Sequence, residues 1–94
     1  VARQLIWTPR ADRALYQITS YWEANWSEKA FRKALDEVFK VLESLTHYPE
    51  MGKVEKPGIR GYVIRKRLKV HYRIEGEEVV LMNFFDTRTN PNSH

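Results

Sequence analysis

The 94-residue chain contains no cysteine. That excludes a disulfide framework and a thiolate zinc site, and it fits a cytoplasmic protein. Glycine is scarce as well. The four glycines are scattered at turn-like positions, so no glycine-rich phosphate loop is present. His47, His71 and His94 lie far apart and form no paired-His metal motif. No Ser/His/Asp set has a recognisable spacing. No apolar run approaches the length of a membrane span, and the N-terminal VARQLIW is no signal peptide. Neither a metal, a cofactor nor a membrane partner is therefore expected.

What the chain does contain is enough to fold. Hydrophobic residues make up 43% and aromatic residues 13%, which is sufficient for one domain over 1–94 with one modest core. The net charge is +4, but its distribution says more than its total. Between Pro57 and Ile74 stand Arg60, Arg65, Lys66, Arg67, Lys69 and Arg73 with no acidic residue, leaving the rest of the chain weakly acidic. A basic zone on such a body points to an anionic partner, a nucleic acid or an acidic protein segment. The alternative is a strand edge kept from aggregating by its cations.

The most informative stretch runs from Gly61 to Arg88. Leu68, Val70, Tyr72 and Ile74 alternate with Lys69, His71 and Arg73, the period of a strand with one buried and one wet face. Glu75-Gly76-Glu77 reads as a polar turn. Val79 to Phe85 is almost wholly apolar and belongs in the middle of a sheet.

Upstream, Gln4 to Trp7 reads as a short first strand. Thr8 as N-cap and Pro9 at the first helical position open a helix whose apolar stripe is Ala11, Ala14, Leu15, Ile18 and Trp22. Ser27 caps a second helix with the stripe Phe31, Ala34, Leu35, Val38, Leu42 and Leu45, which ends near Pro49. The short link forces an antiparallel αα-hairpin. Residues 50–61 read as a loop, Tyr62 to Arg65 as a strand, and Lys66-Arg67 as the turn into the next. The fold class is α+β in the order β-α-α-β-β-β, with the helical hairpin on an antiparallel-rich sheet. Leu15, Ile18, Leu35, Val38, Leu42, Val70, Tyr72 and Leu81 are expected to share the core. The tail from Thr89 to His94 is polar and expected to be mobile.

One group of side chains has the makings of chemistry. Period two puts Lys69, His71 and Arg73 on one strand face, two cations around an imidazole. Such a set can bind phosphate and move a proton, as RNA cleavage through the 2′-hydroxyl requires. An ordinary solvent-facing strand has the same pattern. Asp86 and Arg88 stand just past the last strand, where they could act on a partner or pair with each other. Trp7 and Trp22 fall on core positions, whereas Trp26, at the tip of the helical hairpin, is placed to meet a partner.

The segments WTPRADRALYQITSYW, LTHYPEMGK, IRGYVIRKRLKVHYRIEGEEVVLMNFF and DTRTNP, taken in this order and in a chain of this size, resemble the RelE/ParE superfamily of bacterial type II toxins. The likeness spans nearly the whole chain. It implies a small sheet carrying a helical hairpin, and a growth inhibitor neutralised by a cognate antitoxin. Two targets follow from the superfamily. In its ribosome-dependent mRNA endonucleases, basic sheet residues and a late arginine work with a C-terminal tyrosine or histidine. Arg65 and Lys69 match the basic strand positions and Arg88 the late arginine, which makes Lys69, His71, Arg73 and Arg88 the catalytic candidates of that branch. No tyrosine follows Arg88, and the only later imidazole is His94. The gyrase-directed ParE branch has long helices and no such set, and the resemblance leans that way. Arg60, Arg65, Arg67, Trp26 and Asp86 are then the candidate binding residues. A non-toxic basic nucleic-acid-binding domain is a third reading.

Overall fold

A computed structural model describes residues 2–87. The elements are β1 (Gln4–Trp7), α1 (Pro9–Asn25), α2 (Glu28–His47), a 3-10 turn (Pro49–Met51), β2 (Lys53–Lys56), β3 (Ile59–Ile64), β4 (Leu68–Glu75) and β5 (Glu78–Asp86). The five strands form one sheet in the order β1-β5-β4-β3-β2. β1 runs parallel to β5, and the other pairs are antiparallel.

The helices begin where the sequence signals them. The Thr8 hydroxyl accepts from the Ala11 N–H at 3.2 Å and the Ser27 hydroxyl from the Ala30 N–H at 3.2 Å, each satisfying a donor that has no partner within its helix. Ala11, Leu15 and Trp22 of α1 and Ala34, Val38, Leu42 and Leu45 of α2 are buried against Leu68, Val70, Tyr72, Val79, Leu81 and Phe84 of the sheet. The alternation along β4 thus separates a helix-covered face from an open one. Two residues expected in the core sit differently. Ile18 and Leu35 are only partly buried, and Leu35 lines a surface hollow with Trp26 and Phe31. The apolar stripe of α2 is wider than the sheet beneath it, so its margin reaches solvent.

The loop expected over residues 50–61 is where the sequence reading fails. It contains β2, paired with β3 through a Pro57-Gly58 turn, and β3 begins at Ile59 rather than Tyr62. The order is therefore β-α-α-β-β-β-β. Gly58 holds φ +77, the conformation that makes Pro-Gly a tight turn. The next turn is also shifted. β3 ends at Ile64, and Arg65 and Lys66 both hold positive φ, 58 and 62. Asn-Gly adopts these angles readily, whereas arginine and lysine do so at about 1–2 kcal/mol each.

A buried phenol anchors the 3-10 turn to the sheet. The Tyr72 hydroxyl donates to the Pro49 carbonyl at 2.6 Å and accepts from the Gly52 N–H at 2.9 Å. A Cβ on Gly52 would lie 2.4 Å from that hydroxyl, so only glycine allows the approach. Burial pushes the Tyr72 phenol up from its usual range.

Candidate functional site

The open face of the sheet is shaped by two irregularities in register. On β2 the pairing with β3 shifts between Val54 and Lys56, so Glu55 is the extra residue. On β5 the partners of His71 and Tyr72 are Asn83 and Leu81, so Met82 is the extra residue. Bulges of this kind re-aim side chains. Here both flank one row, in which Gly61 of β3 stands opposite His71 of β4, and His71 opposite Asn83 of β5.

Glu55 lies over that row. A Cβ on Gly61 would fall 2.4 Å from its carboxylate, so the glycine leaves the space the carboxylate fills. One carboxylate oxygen accepts from Lys69 Nζ at 2.8 Å, and the other lies 3.0 Å from His71 Nε2. All three side chains are partly covered, with relative exposures of 29% for Lys69, 21% for His71 and 26% for Glu55. The hydrogen bond from Lys69 holds the Glu55 carboxyl below its ordinary value. Desolvation works the other way, and His71 adds to the lowering. The His71 ring meets Phe85 edge-on, with centroids 4.9 Å apart. Beside it lies a hollow of about 440 Å³ lined by Thr8, Arg10, Lys56, His71, Asn83 and Phe85, among others. Thr8 is tied to the β5 bulge by its hydroxyl, which donates to the Leu81 carbonyl at 2.7 Å.

The structure brings together only part of the set read from the sequence. Lys69 and His71 share Glu55, whereas Arg73 pairs with Glu75 along its own strand. Arg88 and His94 lie outside the described residues. Arg60 is on the other face of the sheet, opposite Tyr72, where its guanidinium donates to the Gly52 carbonyl at 2.7 Å. Asp86 ends β5 in register with Leu68. Among the described residues no group of His, Asp or Glu is arranged to hold a metal, and no helix is long and apolar enough to cross a membrane. Glu55 was missed because residues 50–61 read as a loop. The signal that could have found it is Pro57-Gly58, a turn dipeptide flanked by Lys53–Lys56 and Ile59–Ile64.

The remaining cations of the basic zone collect at the β3–β4 turn. Arg65 pairs with Glu37 of α2. Arg67 Cζ is 4.6 Å from the Trp26 ring centroid, and Trp26 stacks on Trp22 at 4.9 Å and 8°. Trp26 is thus half-buried between an indole and a guanidinium, more enclosed than a free contact residue at a hairpin tip. The end of β5 holds this turn in place. The Thr87 N–H donates to the Arg67 carbonyl at 2.6 Å, and the Thr87 hydroxyl donates to the carbonyls of Arg67 and Lys66 at 2.9 and 3.2 Å.

Comparison with known proteins gives one family. The model of the ParE toxin of type II toxin–antitoxin systems, parDE, matches residues 5–91. Among solved structures, the fold is similar to a chain of the chromosomal ParDE TA system from P. aeruginosa. The TM-score is 0.75 at 19% identity, over 90% of this chain and 96% of that one. It is also similar to a chain of the toxin–antitoxin complex RelBE2 from Mycobacterium tuberculosis. There the TM-score is 0.62 at 18% identity, over 92% of this chain and 99% of that one. No curated protein matches the sequence.

Proposed function

The chain belongs to the ParE toxin family of type II toxin–antitoxin systems, and from that premise we propose that it inhibits growth by binding DNA gyrase, without cutting RNA, until a cognate antitoxin neutralises it. The observation that carries the choice of mechanism is the sharing of Glu55 by Lys69 and His71 at 2.8 and 3.0 Å. A ribonuclease needs cations that meet the developing charge on the phosphorane. Here a carboxylate already neutralises Lys69 and would repel an incoming phosphate. Arg73 is likewise paired, with Glu75. The face is built to be quiet. An antitoxin fits the similarity to chains of ParDE and RelBE2 assemblies, and its binding across the sheet and helical hairpin would cover the exposed aromatic side chains Tyr16, Tyr21 and Phe39.

One observation favours the runner-up, a ribosome-dependent mRNA endonuclease. The hollow beside His71 is flanked by Arg10 and Lys56, neither of which makes an ion pair among the described residues. A phosphate there would lie near an imidazole oriented by a carboxylate.

Both readings are tested by inducing the protein in cells without its antitoxin, mapping mRNA 5′ ends and following plasmid topology. The binder leaves transcripts whole and alters DNA topology, and Lys69→Ala and His71→Ala stay toxic. The nuclease cuts transcripts within ribosome-bound codons, leaves supercoiling untouched, and loses about 10²–10⁴-fold in cutting on His71→Ala. That second result would overturn the proposal.

A further inference from the structure

The β3–β4 turn differs from the open face of β4 in keeping cations that are unpaired among the described residues. Lys66 and Arg67 make no ion pair among the described residues, and neither does Lys33. Lys33 lies between Ala30 and Glu37 at helical spacing on α2, the side of the helix that meets the turn through Ala30 and through the Glu37–Arg65 pair. Arg65, Lys66 and Lys33 are exposed. Arg65 and Arg67 line one hollow of about 370 Å³ with Trp26, Ser27 and Ala30. Lys66 stands between the two arginines in the turn and Lys33 one helical turn from Ala30, and Glu37 is the single carboxylate ion-paired with any of these four cations among the described residues. The turn is also held rigid, by Thr87 beneath it and by the Arg67–Trp26–Trp22 stack at its side. Its two leading cations sit at positive φ, where Asn-Gly would rest without strain. Strain kept at a surface turn is a pointer to what the side chains there do.

We infer that this turn, with Lys33 of α2, is a contact site for the phosphodiester backbone of a nucleic acid duplex. The choice of partner follows from what the patch lacks. One face of the Trp26 ring is covered by Trp22 and another is met by Arg67, so it offers no platform for an unpaired base. The hollow has no apolar anchor pocket of its own, which a protein partner would need at the centre of its interface. The more apolar hollow that Trp26 also lines, with Phe31 and Leu35, carries Glu23 and an Arg32–Glu28 ion pair, so it adds no free cation to the patch. What remains is a cluster of fixed cations, which reads backbone charge and no base sequence. The inference does not rest on gyrase being the target.

The test is fluorescence anisotropy of the full chain with labelled mixed-sequence DNA and RNA duplexes across a salt series. Engagement of three to four phosphates predicts a slope of log affinity on log salt of about −3. Lys66→Gly should flatten the slope by about 0.9, and Arg67→Gln by a similar step. Lys66→Gly should also raise the thermal midpoint by a few degrees, since relief of the positive φ outweighs the extra unfolded-chain entropy of glycine. A variant that is more stable yet binds less tightly cannot owe its loss to unfolding. Lys40→Gln, on α2 beside Asp36, should leave the slope unchanged. A change on either duplex supports the site, and the pair of duplexes tells a B-form from an A-form source. Unaltered slopes in both turn variants would overturn it, as would tighter binding to poly-glutamate than to either duplex, which would mark an acidic protein segment as the partner.

Discussion

The open sheet face and the β3–β4 turn draw their cations from one uninterrupted basic stretch, yet they end in opposite electrostatic states. On the face, Lys69 and His71 converge on Glu55, and Arg73 pairs with Glu75. At the turn, Arg65 meets Glu37, but Lys66 and Arg67 meet no carboxylate among the described residues. Arg60 belongs to neither place, since it fastens the backbone at Gly52 on the far side of the sheet. Charge counted along the chain therefore overstates what any one surface presents. A strand alternates its neighbours between two faces, and cross-strand partners decide which cations remain available. Lys66 and Arg67 escape this cross-strand neutralisation because the turn takes them out of the ladder.

The largest expected effect sets the scale for both surfaces. Leu81 is fully buried on the helix-covered side of β5, and Leu81→Ala should cost about 2–5 kcal/mol. Lys69→Ala on the open face and Arg67→Ala at the turn should each cost under about 1 kcal/mol, since partly exposed ion pairs and surface cation–π contacts contribute little. Urea unfolding of the three variants checks this. A Lys69→Ala loss close to that of Leu81→Ala would mean that the Glu55 cluster holds the sheet together, and the contrast between a sealed face and an available turn would fail.

A smaller effect separates the two sides of β4 at adjacent residues. Tyr72→Phe removes the hydroxyl that joins Pro49 and Gly52 and leaves both backbone groups without that partner. It should cost about 1–3 kcal/mol. His71→Ala, one residue away on the open face, should cost clearly less. Equal losses in thermal unfolding would show that the open face carries structural weight, which the pairing pattern does not imply.

Much of this architecture was legible in the sequence. Thr8-Pro9 and Ser27 marked both helix starts, because capping chemistry is local. The alternation from Leu68 to Ile74 separated the faces of β4 correctly. The pairing of Arg73 with Glu75 could also have been read, since residues two apart share a strand face. Other features lay beyond local pattern. The positions of Glu55 and Met82 as extra residues depend on register with neighbouring strands, and a bulge breaks the very period that reveals a strand. Glu55 therefore stayed invisible as the partner of Lys69 and His71. The turn at Arg65-Lys66 was displaced by a residue because neither glycine nor asparagine marks it. Leu35 shows the limit of a helical stripe, which gives a direction but not the width of the surface beneath.

The smallest expected effect is also the most specific to the comparison, because it rests on Glu55, the carboxylate that Lys69 and His71 share on the open face. Glu55 has its carboxyl lowered from 4.5, first by the Lys69 hydrogen bond. A carboxyl with a depressed folded-state value binds protons less readily in the native than in the unfolded chain. Its contribution to stability is complete above the unfolded value and disappears as pH falls through the folded one. Glu55→Gln keeps the shape and removes the titration. The thermal midpoint of the native protein should therefore exceed that of Glu55→Gln by a small margin at neutral pH and down to about 4.5, then converge on it in more acid solution. Arg67→Gln, whose parent side chain has no carboxylate partner among the described residues, should differ from the native protein by the same amount on both sides of that pH. A margin at Glu55 that persists unchanged into acid would mean the carboxylate is not held by Lys69 and His71 in solution. The open face would then be as available to an anion as the turn.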